Sequence, residues 1–159
     1  MSEYFINKAK TCAVTGHRRL PKDFNSANLG QAILELIDKG FDTFLVGMAI
    51  GFDTECFKIL EIARKAFGVK IIACIPCENQ AERFSEKQKE EYYRMTRVAD
   101  QKIIISKEYT NDCMMKRNRF MVDNCSCLLA YLTQNYGGTA STVRYAEKQG
   151  VNVVFVKER

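Results

Sequence analysis

Short apolar runs alternate along this chain with segments whose apolar residues return every three to four positions. Thr11-Cys12-Ala13-Val14-Thr15 is such a run, closed by Gly16, and predicts a first strand. After a polar stretch containing Pro21, residues Leu29, Ala32, Ile33, Leu36 and Ile37 fall on one face of a helix that Gly40 ends. Thr43 to Val46 predicts the second strand. Cys56, Ile59, Leu60, Ala63 and Phe67 stripe a second helix stopped by Gly68. Val69 to Ile75 is apolar almost without interruption, the mark of a strand covered on both faces. Ser85-Glu86-Lys87-Gln88 has the form of a capping box and opens a helix carrying Gln88, Tyr92, Met95 and Ala99 on one side. Lys102 to Ser106 predicts the fourth strand, and Met114, Asn118, Met121, Val122 and Cys125 share a face of the next helix. Ser126 to Leu132 is the fifth strand, Ala140 to Gln149 a helix ended by Gly150, and Val151 to Val156 the last strand.

Strands and helices that alternate in this way predict an α/β fold: a doubly wound, mostly parallel, Rossmann-like sheet with helices on both faces. No repeat or linker interrupts the pattern, and 159 residues match one domain of about 150, so a single domain over residues 1–159 is expected. Hydrophobic residues make up 47% and charged residues 27%, which excludes a disordered or fibrous chain. The net charge of +5 is mild and dispersed; it permits phosphate-bearing ligands without arguing for nucleic acid. No apolar run approaches the roughly 18 residues of a membrane span, and Met1-Ser2-Glu3-Tyr4 does not begin like a signal peptide. A cytoplasmic location with no membrane partner is therefore expected. Seven cysteines cannot all pair internally, and Cys12, Cys56, Cys74, Cys125 and Cys127 lie in apolar surroundings, where a free thiol behaves as a small hydrophobe.

Ligands of such sheets bind beyond the carboxyl ends of the strands. Gly16-His17-Arg18-Arg19 follows the first strand, and Gly47 to Thr54, with Gly51 and Asp53, follows the second. Met114-Met115-Lys116-Arg117-Asn118-Arg119 lies after the fourth, and Gly137-Gly138-Thr139-Ala140-Ser141-Thr142 after the fifth. Glycine allows close backbone approach, helix starts favour anions, and arginine forks match phosphate. This edge therefore suits a phosphate-bearing small molecule, a nucleotide above all. Gly47 and Gly51 read equally well as shapers of a tight turn. Gly137, Gly138 and Thr139 are more specific, because the hydroxyls of Thr139, Ser141 and Thr142 gather at one helix start. Arg117 and Arg119 in the first turns of a helix oppose its dipole, which points to an anionic partner. His17 reads as a loop residue or a ligand contact, and Asp53 as an N-cap first and a ribose or base contact second.

Most catalytic signatures are missing. There is no G-x-G-x-x-G and no Walker G-K-[ST]. One histidine excludes multi-histidine metal sites, so no metal and no cofactor are expected. Cys74-Ile75-Pro76-Cys77 has C-x-x-C spacing, but Cys74 falls within a strand, whereas a redox motif opens a helix.

Thr15-Gly16-His17-Arg18, Gly51-Phe52-Asp53, Asn79-Gln80 with Phe84, Arg117-Asn118-Arg119 and Gly137 to Thr142 together resemble the YpsA-like proteins. These belong to the SLOG superfamily, with the DprA DNA-processing proteins and the Lonely guy hydrolases. The resemblance runs from about Cys12 to Val156 and implies a bacterial Rossmann-like protein that binds nucleotides or their derivatives as sensor or processing protein. It also implies a homodimer, since relatives often dimerise. Two sharper activities follow from it. One is a Lonely guy-like nucleoside 5′-monophosphate phosphoribohydrolase: Met114, Arg117 and Met121 fit that family's helix motif, but Arg144 stands where its catalytic glutamate would be. Glu78, Asp53 and Asp112 are the carboxylates left to substitute. The other is DprA-like single-stranded DNA binding through Arg117-Asn118-Arg119, with Phe52, Tyr109, Phe120 and Tyr136 as stacking candidates.

Overall fold

The computed structural model describes residues 6–158. Six strands form one sheet: β1 (Thr11–Gly16), β2 (Thr43–Val46), β3 (Lys70–Cys77), β4 (Gln101–Ser106), β5 (Cys127–Tyr131) and β6 (Asn152–Phe155). Five helices connect them: α1 (Ser26–Asp38), α2 (Phe52–Phe67), α3 (Glu86–Val98), α4 (Cys113–Asp123) and α5 (Gly138–Lys148). Two 3-10 turns, Lys8–Lys10 and Gln80–Arg83, complete the described elements, and neither was visible in the periodicity. No described helix is long and apolar enough to cross a membrane.

The strand order is β4-β3-β2-β1-β5-β6 and every pairing is parallel, so the sheet is wholly rather than mostly parallel. From β1 the chain steps outward through β2, β3 and β4, then returns across the sheet to β5 on the other side of β1. Because strand–helix–strand crossovers are right-handed, reversing the direction of travel puts the later helices on the opposite face. Accordingly α1, α2 and α3 pack on one core cluster and α4 and α5 on the other.

Successive residues of each inner strand feed the two cores in turn. Cys12, Val14, Phe44, Val46 and Leu129 face the first cluster; Ala13, Leu45, Leu128 and Ala130 face the second. This is why the strands read as continuous apolar runs. The helix ends follow their sequence signals. Asn25 caps α1 by accepting from the Asn28 N–H at 3.1 Å, and Ser85 and Gln88 form the reciprocal capping box of α3. Gly68 closes α2 in the left-handed region. Cys125, read as part of α4, lies just beyond its end but in the same core.

All seven cysteines are buried and free, Cys77 and Cys113 included. Cys74 and Cys77 both belong to β3, and three residues apart on a strand they point to opposite faces. Burial pushes the Cys74 thiol up to about 12, and side chains on opposite faces of one strand are not placed to bridge each other.

Candidate functional site

The chain leaves β1 toward one face and β5 toward the other. A crevice therefore opens between their carboxyl ends, at the point where the strand order reverses. A cleft of about 500 Å³ occupies it, lined among others by Gly16, His17, Arg18, Gly47, Asp53, Arg117, Asn118, Gly138 and Thr139. Four separate segments thus meet there. Gly51, Gly137, Ser141 and Thr142 belong to the same loops and helix starts but do not line it.

Three of the glycines have packing reasons of their own. A Cβ on Gly16 would lie 2.3 Å from the Phe52 ring, and one on Gly51 2.1 Å from the Arg18 carbonyl. Gly51 also has φ +83°, and the neighbouring Phe52 N–H donates to the His17 carbonyl at 3.1 Å. The α2 start is thereby stitched to the β1 loop. A Cβ on Gly47 would meet Arg117 Nη1 at 2.9 Å and Asp53 Oδ2 at 3.1 Å.

Arg117 is 6% exposed and turns inward. Its Nη1 donates to the Gly47 carbonyl and its Nε to Asn118 Oδ1 at 2.7 Å. The helix begins at Cys113, so Arg117 sits in its second turn and the dipole argument for an anion beside it loses force. Arg119 points elsewhere, its guanidinium 5.1 Å above the Tyr145 ring. The run Arg117-Asn118-Arg119 is therefore divided between a buried strut and an outer face.

Asp53, 7% exposed, is not the N-cap of α2; Gly51 holds that position. The carboxylate instead accepts from the Ala49 N–H at 3.1 Å and braces the preceding loop. Burial pushes its pKa up to about 6, against the pull of Arg117, the Ala49 N–H and Arg18. Burial likewise lowers that of Arg117, opposed by Asp53. Of the three carboxylates the sequence offered, Asp53 alone lines the cleft; Asp112 accepts from Thr110 and pairs with Lys116. Arg144 is exposed and donates to the Asn135 carbonyl, bracing the loop before α5.

His17 Nε2 accepts from the Thr133 N–H at 3.0 Å, tying the β1 loop to the β5 loop. That bond requires the neutral ring, and burial lowers the pKa in the same direction. Arg18 is exposed; among the described residues its Nη2 reaches only the Met114 sulfur, at 3.4 Å. Thr142 lies one turn inside α5 and donates its hydroxyl to the Gly138 carbonyl at 2.8 Å, so it does not join Thr139 at the helix start. Ser141 is exposed. The start of α5 has no side-chain cap, leaving the first N–H groups without a side-chain acceptor. Gly138 has an ordinary φ, and a Cβ on it would have nothing within 4 Å.

Of the aromatic stacking candidates, Phe52 is fully buried and Phe120 packs on the second core, whereas Tyr109 and Tyr136 are exposed. Gln80, which carries an unpartnered buried oxygen beside the cleft, was noted in the sequence only as part of a motif. Among the described residues no group of three or more His, Cys, Asp or Glu is placed to hold a metal.

The YpsA profile, described as the YspA SLOG family, matches residues 23–156. An uncharacterized SPbeta prophage-derived protein, YoqJ of Bacillus subtilis, is 29% identical over 118 residues, which are 66% of this chain and 69% of that protein. Two solved structures share the fold. DNA processing protein A (DprA) from Streptococcus pneumoniae superposes with a TM-score of 0.66 at 19% identity, over 93% of this chain and 50% of that one. DNA processing protein A from Helicobacter pylori, whose structure is described for its single-stranded DNA binding mode, gives 0.68 at 17% identity, over 96% and 67%. The chain thus spans half the length of the Streptococcus protein.

Proposed function

From the premise that this chain belongs to the YspA SLOG family, we propose that it binds a nucleotide or nucleotide-derived ligand in the cleft between β1 and β5. The phosphate rests on the α5 start at Gly138 and Thr139, with Arg18 turning in from Met114. Gly138 carries this reading. Gly16, Gly47 and Gly51 each make room for the protein's own atoms, whereas a Cβ on Gly138 would have no atom of the described residues within 4 Å. It stands at an uncapped helix start, where backbone N–H groups and the helix dipole favour an anion.

A thermal-shift panel tests this, with AMP and the other nucleoside monophosphates, NAD, ADP-ribose and a short single-stranded oligonucleotide. A ligand at 100 times its Kd adds about 2.7 kcal/mol, which raises Tm by roughly 5–10 °C in a chain of this size. Gly138→Ala weakens the responding ligand by about tenfold or more while leaving the unliganded Tm in place. Binding that survives this change places the phosphate elsewhere. A response to the oligonucleotide alone favours a DprA-like role, which the inward turn of Arg117 and the burial of Phe52 do not support.

Asp53 favours a second reading, a Lonely guy-like phosphoribohydrolase. Water would add across the bond from C1′ to the base nitrogen, releasing free base and ribose 5-phosphate. A carboxyl poised near pH 6 exchanges the proton that this requires. Chromatography of AMP incubated with the protein would show adenine, and Asp53→Asn would bind without cleaving. Homodimerisation belongs to the same proposal and is read by sedimentation equilibrium.

A further inference from the structure

Beyond Arg18 the cleft continues into a second cavity of about 740 Å³. The two share Arg18, Ala49 and Met114, and the weak contact from Arg18 Nη2 to the Met114 sulfur bridges the passage between them. The second cavity is walled by Phe84 and the exposed Tyr109, with three carboxamides: Asn79, Gln80 and Gln88. Two of these are in use. Asn79 donates to Glu82 at 3.2 Å, and Gln88 accepts from the Ser85 N–H at 2.9 Å.

Gln80 is different. Its Nε2 makes a long hydrogen bond of 3.5 Å to the Gly47 carbonyl, and its buried Oε1 has no donor among the described residues. Gly47 fixes which end is which. Its carbonyl also accepts from Arg117, and an amide oxygen turned toward it would be repelled. An acceptor left dry costs more than a formed hydrogen bond gains, and an orphan on a residue that lines a cavity adjoining the proposed phosphate site calls for a donor from outside the chain.

We propose that this second cavity is a nucleobase subsite selective for a base whose exocyclic amino group sits at purine C6 or pyrimidine C4, adenine or cytosine, and donates an N–H to Gln80 Oε1. The inference rests on the nucleotide reading above and adds the direction of the ligand: phosphate on α5, ribose past Ala49, base between Phe84 and Tyr109. Oε1 has no solvent contact, so a lining side chain must shift for the base to reach it. Arg18 is held by no more than its sulfur contact among the described residues, and the phosphate gives its guanidinium a better partner. Entry of the base and closure on the phosphate then become one motion.

The test compares nucleoside monophosphates with and without that amino group: an oxo group replaces it in IMP and UMP, with a ring N–H beside it, and purine riboside 5′-monophosphate simply lacks it. AMP is set against IMP and purine riboside 5′-monophosphate, and CMP against UMP, by titration calorimetry. The expected result is a preference of at least about tenfold for the amino base, reduced to near unity in Gln80→Met with Gly138→Ala-sensitive phosphate binding retained. Equal affinities in the unaltered protein would overturn the subsite, needing no variant to fold; so would a preference that persists in Gln80→Met. If monophosphates bind and Gly138→Ala weakens them without any base preference, the subsite alone falls. If none binds, both readings fall together.

Discussion

Asp53 and His17 pull the pH dependence of this protein in opposite directions. The Asp53 carboxyl is raised from 3.8 to about 6 by burial. Its contribution to stability is therefore full below pH 3.8, declines as pH rises, and is gone above about 6. Replacing it with Asn removes that decline. Relative to the unaltered protein, Asp53→Asn should gain on the order of 2–3 kcal/mol between pH 4 and pH 8, read from denaturant midpoints at each pH. A constant difference across that range would show that Asp53 is ionised in the folded state at all of them. His17 runs the other way. Its pKa is lowered, so its stabilisation is present above the ordinary value of 6.5 and fades as pH falls through the folded-state value. It is the sole histidine, so one imidazole signal reports it, and its NMR titration midpoint should fall below 6.5. Among glycines, Gly51→Ala meets backbone oxygen at 2.1 Å and a positive φ, and should cost about 3 kcal/mol or more by chemical unfolding. Arg117→Ala strips a buried donor from the Gly47 carbonyl, so it should lower Tm before any ligand is added.

At the scale of elements, α2 and α3 are clamped by one residue. Arg94 of α3 forks onto Glu61 of α2 at 2.9 and 2.7 Å and also holds Glu91 at 2.8 Å. The cluster is partly exposed, which discounts its worth. Arg94→Met should cost about 1 kcal/mol, less in high salt, by the shift in urea midpoint. The helices themselves were legible. The stripe of Leu29, Ile33 and Leu36 and the capping box at Ser85 are local patterns, and local hydrogen bonding and burial honour them. One element was misjudged at its start. Gly51 caps α2 where Asp53 was expected, whereas α4 begins at Cys113, next to the Met114 that opened its stripe. Helix starts depend on what packs against the first turn. For α2 that is the His17 carbonyl, far away in the chain.

For the whole molecule, the strand order places β1, β2, β3 and β5 inside the sheet and leaves β4 and β6 at its edges. Amide hydrogen exchange should accordingly be slowest in β1 and its two neighbours and fastest in β6, where Phe155 is half exposed. Uniform protection across all six strands would contradict a single cooperative core centred on β1. The same topology explains how much of the site was legible. Alternating apolar runs and periodic stripes determined the α/β class, since each needs only its own neighbours to declare a face. A parallel sheet then obliges the glycine-rich and arginine-rich loops to share one edge. What the chain's order along that edge could not declare was the partner of each side chain. Arg117 turns inward to a carbonyl 70 residues away, and His17 is satisfied by an amide 116 residues away. Thr142 bonds back into its own helix, and Gln80 keeps an oxygen that nothing among the described residues satisfies. Sequence alone determined which chemistry gathers at the sheet edge; only the tertiary structure decided which of those groups are consumed in holding the fold, because hydrogen bonds and desolvation are settled by distance in space and not along the chain.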